Sequence, residues 1–355
     1  MDSDNKWLDK VSHRSQIGEI ETARLDNGHG SGTRIAWVNT GSGLRFKVAI
    51  DRAMDITEAS FNAHNLSWIS ALGMVSPQPL ADKGTDWLRT FTGGLVTTCG
   101  LTHVGGPDRD HSGERGLHDR ISNIPAEIIQ IKQPDPHRGQ WDMEISGRIF
   151  QGQPLGYQLE LIRTIRCRLG ESTIRINDQV RNIGNTPAPH MLLYHLNFGW
   201  PFIDSGTHLF WNGDWTSREP DIAQLFTDQH DFRTCPEPME SHRGAGEEAA
   251  FINPQTDENG IVHCGAHNEK LALAVHVSFP KKQLPWLTNW QHWGPGEYVM
   301  GLEPGTNPPI GQIKARVNNQ LIELKPHESR SYDLSIAVIT ESSAIEHFIR
   351  RFNKN

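Results

Sequence analysis

The chain has 355 residues, 36% of them hydrophobic, and a formal net charge of −8; its mean hydropathy is −0.53. No apolar run approaches the roughly 18 residues of a membrane span, and an acidic balance without a basic block argues against a nucleic-acid partner. Cys99, Cys167, Cys235 and Cys264 are scattered without a CxxC pair. That spacing fits neither a disulfide frame nor a zinc site, and points to free thiols in a reducing compartment.

The start, "MDSDNKWLDK", lacks the basic and apolar blocks of a secretory signal, so a cytoplasmic location is expected. Further on, "FKVAIDRAMDI" alternates Val48, Ile50, Arg52, Met54 and Ile56 against Ala49, Asp51, Ala53 and Asp55, as a strand would. Arg52 then falls on the apolar face, where a guanidinium needs hydrogen-bond partners. A structural ion pair and a substrate contact are both open to it. Arg89, in "WLRTFTGG", precedes a glycine pair and is the better substrate-binding candidate. The polar segment "GGPDRDHSGERG" (105–116) reads as a solvated loop or the rim of a site. His118 follows it directly.

"YQLELIRTIRCRLGESTIRINDQVRN" reads as two strands around a turn at Gly170–Glu171. In "HMLLYHLNFGWP", period two puts Leu192, Tyr194, Leu196, Phe198 and Trp200 on one face. Met191, Leu193, His195, Asn197 and Gly199 share the other. His195 is therefore either a satisfied half-buried histidine or an acid–base group on a rigid sheet. "KLALAVHVSF" and "SYDLSIAVIT" are further strands. In "YVMGLEPGTNPP", Glu303 faces away from Tyr298, Met300 and Leu302, beside Gly301. It is either an exposed strand-end carboxylate or the partner of His195, since acid–base chemistry needs two rigidly held groups of different pKa. The chain closes with "SSAIEHFIRRF", a helix with a capping-box pattern at Ser343 and Glu346 and an Ile345, Phe348, Ile349, Phe352 stripe.

With 33 Gly and 21 Pro punctuating short segments, the fold class expected is all-β, a large antiparallel sandwich or barrel in a single domain. There is no GxSxG elbow, HExxH helix or P-loop pattern. The glycine pairs at 93–94 and 105–106 lack the strand–turn–helix context of a dinucleotide site. Although 18 histidines make a metal conceivable, no HxH pair with a downstream Glu at cupin-like spacing occurs.

Together "DRAMDI", "FTGGLVTTCGL", "LHDRISNIPA", "LYHLNFGWP" and "YVMGLEPGTNPP" resemble aldose 1-epimerase-like proteins. They look most like the branch labelled a domain of unknown function within the galactose mutarotase-like superfamily, over roughly residues 30–340. The resemblance implies a β-supersandwich with a sugar cleft on its concave face, spanning 1–355 with an N-terminal extension at 1–29 and a C-terminal helix at 342–353. It implies that His195 is the acid that protonates the ring oxygen and that Glu303 is the base for the anomeric hydroxyl. His118 would be the second active-site histidine, and Arg89 would hold sugar hydroxyls. Arg52, Asn197 and Trp290 complete the candidate substrate contacts, and Trp200 lies near a site strand. The reaction implied is cofactor-independent anomer interconversion, needing no metal. The partner expected is a small sugar, with no nucleic acid or membrane, and a homodimer is allowed. The alternatives are a lyase or hydrolase on the same fold, or a non-catalytic sugar-binding or regulatory protein. Two departures stand out: Asp119 where the family commonly has Gly after the histidine, and Ala53 where it has Gly.

Overall fold

Short strands dominate the computed structural model, which describes residues 5–353. They form antiparallel sheets of five, eight and seven strands and a two-stranded hairpin. The eight-stranded sheet runs from His208–Trp211 through Ile261–Asn268, Leu273–Pro280, Ser329–Ile339, Thr173–Asn182, Gln158–Arg168 and Asp142–Gly152 to Glu127–Lys132 at its far edge. The seven-stranded sheet is ordered Gly213–Ser217, Glu248–Pro254, Trp286–Gly294, Glu297–Gly305, Ala188–Gly199 and Ile322–Leu324; Thr97–Leu101 also pairs with Ala188–Gly199.

The period-two pattern explains how the sheets face one another. Leu192, Tyr194, Leu196 and Phe198 join Met300 and Leu302 in one cluster with Ile174, Ile176, Val275 and Val277 of the eight-stranded sheet. Burying each such side chain contributes about 1.5–3 kcal/mol. Polar pins cross the same interior. The Tyr194 hydroxyl donates to Asp178 Oδ2 at 2.7 Å, His190 Nε2 lies 2.7 Å from the Tyr332 hydroxyl, and Trp211 Nε1 donates to Asn289 Oδ1 at 3.3 Å. Buried Arg163 donates to Asp178, to Asp55 Oδ1 at 3.1 Å and to the Thr98 hydroxyl at 2.8 Å. Met191, Leu193, His195 and Asn197 are left on the opposite face, and the site is built there.

Three local expectations need correction, and a fourth, for the polar 105–116 segment, gains detail. "FKVAIDRAMDI" is not one strand: Leu44–Ala49 and Asp55–Phe61 flank a turn in which Ala53 and Met54 have φ of 51° and 58°. Positive φ breaks the alternation, and it explains why glycine suits the Ala53 position. The C-terminal helix, Ser342–Arg350, is capped by Glu341 without a side-chain bond, and Glu346 instead accepts from Arg350. Its apolar stripe does pack, with Ile345 and Phe348 against Phe210 and Ala274. Within the expected N-terminal extension, Glu19–Arg24 pairs along Arg34–Asn39 in the five-stranded sheet. The polar 105–116 segment folds as a hairpin, Asp108–Asp110 with Gly113–Arg115, held by Arg115 on Asp108 and Asp110. All four cysteines are buried and free. No described helix is long and apolar enough to cross a membrane.

Candidate active site

His195 and Glu303 stand on neighbouring strands of the seven-stranded sheet. The flanking pairs Leu193↔Gly305 and Leu196↔Leu302 fix a register that puts the two side by side on the same face. Their side chains meet, with His195 Nε2 3.3 Å from Glu303 Oε1. Both are buried, at 6% and 3% exposure. Glycine at 301 makes this approach feasible. A Cβ there would lie 2.8 Å from Glu303 Oε1 and 3.2 Å from Trp290 Cβ, so the carboxyl and the indole both fold over a position that must stay bare. Gly301→Ala should therefore displace the Glu303 carboxyl while leaving the strand intact. A misplacement of about 1 Å can lower a rate by roughly 10²-fold. The check is the rate of whichever sugar reaction the wild type catalyses, with unchanged circular dichroism as control; an unchanged rate would refute the packing argument.

His118 reaches the same cleft from the loop after the hairpin. Its ring centroid is 5.9 Å from that of His195 and 4.8 Å from that of Trp87. The Gly105 amide donates to His118 Nδ1 at 3.3 Å, so the neutral ring carries its proton on Nε2. His118 and Asp119 both have positive φ, 57° and 59°. A carboxylate tolerates the position because it is fully used: Asp119 Oδ2 accepts from the Thr102 amide and hydroxyl and from Gln151 Nε2, and Oδ1 from the Arg120 amide. These bonds hold the turn at the position where the sequence resemblance implies glycine.

Electrostatics at the floor are dominated by burial. Desolvation pulls His195 down to about 4, with Asn197 and Glu247 opposing it. It pushes Glu303 well above the usual carboxylate range, an effect Glu247 adds to and Arg218 opposes. His118 is held well below the normal histidine value by burial, then by His195 and His103. Burial thus disfavours the charged form of both groups and works against an imidazolium–carboxylate ion pair in the unliganded cleft. His195 Nδ1 and Glu303 Oε1 are both buried without a hydrogen bond, so the 3.3 Å approach of His195 Nε2 to Glu303 Oε1 is a contact and not a hydrogen bond in the unliganded cleft. Of the two, Glu303 Oε1 is left at the cleft floor for a ligand's hydroxyl, whereas the His195 ring is influenced by the Asn197 side chain behind it.

The cleft encloses about 460 Å³, and its walls include Trp87, Phe91, Thr288, Trp290, Arg218 and Glu247. Trp290 stands 5.2 Å from the His195 ring and donates its Nε1–H to Glu247 Oε2 at 2.7 Å. Of the candidate contacts, His118 and Trp290 line the cleft with the central pair. Three others do not. Arg89 lies on the short helix Asp86–Thr90 that supplies Trp87, but its side chain is 84% exposed beside Asp86. Residues two apart on a 3₁₀ turn cannot share a face. Arg52 is buried and donates to the carbonyls of Thr90 and Val75 and to Asn123 Oδ1. It clamps the end of the Trp87 helix to the His118 segment. Asn197 lies beneath the floor, its Nδ2 donating to the carbonyls of Gly94 and His195 and its Oδ1 buried without a hydrogen-bond partner. Trp200 is 69% exposed at the strand's outer end. Sequence reasoning missed Arg218, Glu247, Thr288 and Trp87. Only Thr288 carried a usable signal, as it alternates with Trp290 on one strand.

Among the described residues, no group of three or more His, Cys, Asp or Glu side chains gathers to hold a metal ion.

Similar folds occur in solved structures. A candidate aldose 1-epimerase from Klebsiella pneumoniae superposes with a TM-score of 0.83 at 20% identity, over 96% of this chain and 90% of that one. A galactose mutarotase-like protein from Clostridium acetobutylicum gives 0.64 at 12% identity, over 91% and 98%. Galactose 1-epimerase from Lactobacillus acidophilus gives 0.60 at 12% identity, over 90% and 98%. No curated protein matches the chain in sequence. At these identities the likeness establishes the fold, which is galactose mutarotase-like. The model of a domain of unknown function, DUF4432, matches residues 30–338, and the chain belongs to that family.

Proposed function

We propose that the protein interconverts the anomers of an aldose by acid–base ring opening and closure, without a cofactor. The observation that carries this reading is the buried His195–Glu303 contact of 3.3 Å at the cleft floor. Mutarotation moves one proton off the anomeric hydroxyl and puts one on the ring oxygen. Both oxygens are bonded to C1, so an adjacent acid and base can address them together. Burial favours the arrangement in which the proton the pair exchanges rests on Glu303 and His195 is neutral. Sugar oxygens bonded to the pair replace the solvation lost on burial, and one short transfer then gives the catalytic arrangement of carboxylate and imidazolium. Glu303 takes the proton from O1 while His195 Nε2–H protonates the ring oxygen, and the C1–ring-oxygen bond opens. Rotation about C1–C2 and reversal of the two transfers close the other anomer. His118, its Nε2–H free to donate, hydrogen-bonds the sugar beside the reacting centre. Trp290 and Trp87 offer aromatic faces to the sugar's C–H groups.

A bell-shaped pH dependence of kcat/KM is the expected signature. Activity falls as pH drops through about 4, where His195 gains a second proton for the pair. It falls again on the alkaline side, above the normal glutamate range, when the shared proton is lost. Both limits belong to the coupled pair. Saturation-transfer NMR on a panel of aldoses measures the profile. A protein that binds a sugar but speeds no anomer exchange above the buffer rate at any pH would be a sugar-binding protein instead.

A further inference from the structure

The cleft does not end at Arg218 and Glu247. On their far side lies a second cavity of about 430 Å³, floored by His242 and walled by Ile222, Ala223 and Ser241. It shares Arg218, Glu219, Glu247 and Ala249 with the catalytic cleft. We infer that the two cavities form one extended groove, and that the substrate is an uncharged reducing disaccharide. Its reducing unit would sit over His195 and Glu303, and its second unit beyond Arg218. This inference rests on the reading of His195 and Glu303 as an anomer-exchanging pair.

Register gives the groove its direction. From Glu303 the sheet steps to Thr288 and Trp290, then to Ala249 opposite Trp290, then to Arg218, whose amide bonds the Ala249 carbonyl. Three strand spacings make roughly 14 Å at the backbone, more than one pyranose ring spans. Ala249 keeps the middle of the path low. Each cavity falls within the about 300–1,000 Å³ usual for small-molecule sites, so one ring leaves the outer cavity unfilled.

Charge points to a neutral ligand. Among the described residues lining the two cavities, Arg218 is the one arginine or lysine. It is already paired through Nη1, which donates to Glu247 Oε1 at 2.9 Å, while Nε lies 3.6 Å from Glu219 Oε1, beyond hydrogen-bond distance. A phosphate or carboxylate on the sugar would meet Glu219 and Glu247 with no unpaired cation to receive it. Hydroxyls are better suited, because they can both donate to these carboxylates and accept from the arginine. Arg218 Nε is itself buried without a hydrogen-bond acceptor.

The test compares reducing disaccharides of 1→2, 1→3 and 1→4 linkage with their parent monosaccharides and with sugar 6-phosphates, by saturation-transfer NMR and calorimetry. At least one disaccharide should show kcat/KM about tenfold or more above its monosaccharide, and phosphates should fall below it by a similar factor. Ala223→Trp, which fills the outer cavity alone, should bring the disaccharide-to-monosaccharide ratio towards one, each variant serving as its own reference. Monosaccharide exchange with no disaccharide preference, or a preference for phosphates, overturns the inference and leaves the function standing. Disaccharide binding with no exchange of any sugar overturns the function, and with it the disaccharide as substrate, leaving the extended groove as a binding site. An unchanged ratio in Ala223→Trp would also overturn it.

Discussion

Replacing Glu303 by glutamine is expected to slow anomer exchange by about 10²–10⁴-fold, the contribution of one positioned acid or base. The fold should survive, because burial already disfavours the charged carboxylate and glutamine matches the neutral acid in size. What glutamine cannot do is take a proton from the anomeric hydroxyl. His195→Asn should cost a similar factor by removing the group that protonates the ring oxygen. The two act as one unit, joined across 3.3 Å, so the double variant should lose far less than the product of the single losses. Circular dichroism controls for folding and saturation-transfer NMR reads the rate. Multiplicative losses, or a loss below tenfold in either single variant, would show that the groups do not share a proton.

How much of this was legible in the sequence depends on which interactions are local. Alternation placed Tyr194, Leu196 and Phe198 behind His195, and Met300 and Leu302 behind Glu303, because a strand's faces are set by the pleat alone. Nothing in one chain's sequence states a register between strands 108 residues apart in number, so the contact of His195 with Glu303 was reachable only through resemblance. Arg52 was misplaced because "IDRAMDI" has strand-like alternation, while the positive φ at Ala53 and Met54 turns the chain. Arg89 failed for the opposite reason: a five-residue helical turn, invisible among loop residues, aims Trp87 inward and Arg89 out. Arg218 and Glu247 sit at the two ends of a long excursion between paired strands, Gly213–Ser217 and Glu248–Pro254. Their meeting follows from that pairing and leaves no mark in either local segment.

Removing Arg163 should produce the largest loss of stability. Its guanidinium is fully buried and bridges Asp178 of its own sheet to Asp55 of the five-stranded sheet. Burial pushes Asp55 up, and Arg163 is the strongest influence opposing that rise. Arg163→Met would leave two buried carboxylates without their cation, at a cost of about 3–5 kcal/mol. The penalty should shrink as the pH is lowered, since Asp55, pushed up by burial and no longer held down by Arg163, then takes up a proton and its share of the uncompensated charge disappears. Arg163→Met combined with Asp178→Asn should recover part of the loss, as coupled neighbours do. The effect should also reach the site. Thr98, which accepts a hydrogen bond from Arg163, pairs with Tyr194, and the next rung pairs Thr97 with His195. Urea unfolding at neutral and acidic pH measures the first effect, and the exchange rate of the folded variant the second. A loss under about 1 kcal/mol, the range of an exposed ion pair, would mean that this network does not hold the two sheets together.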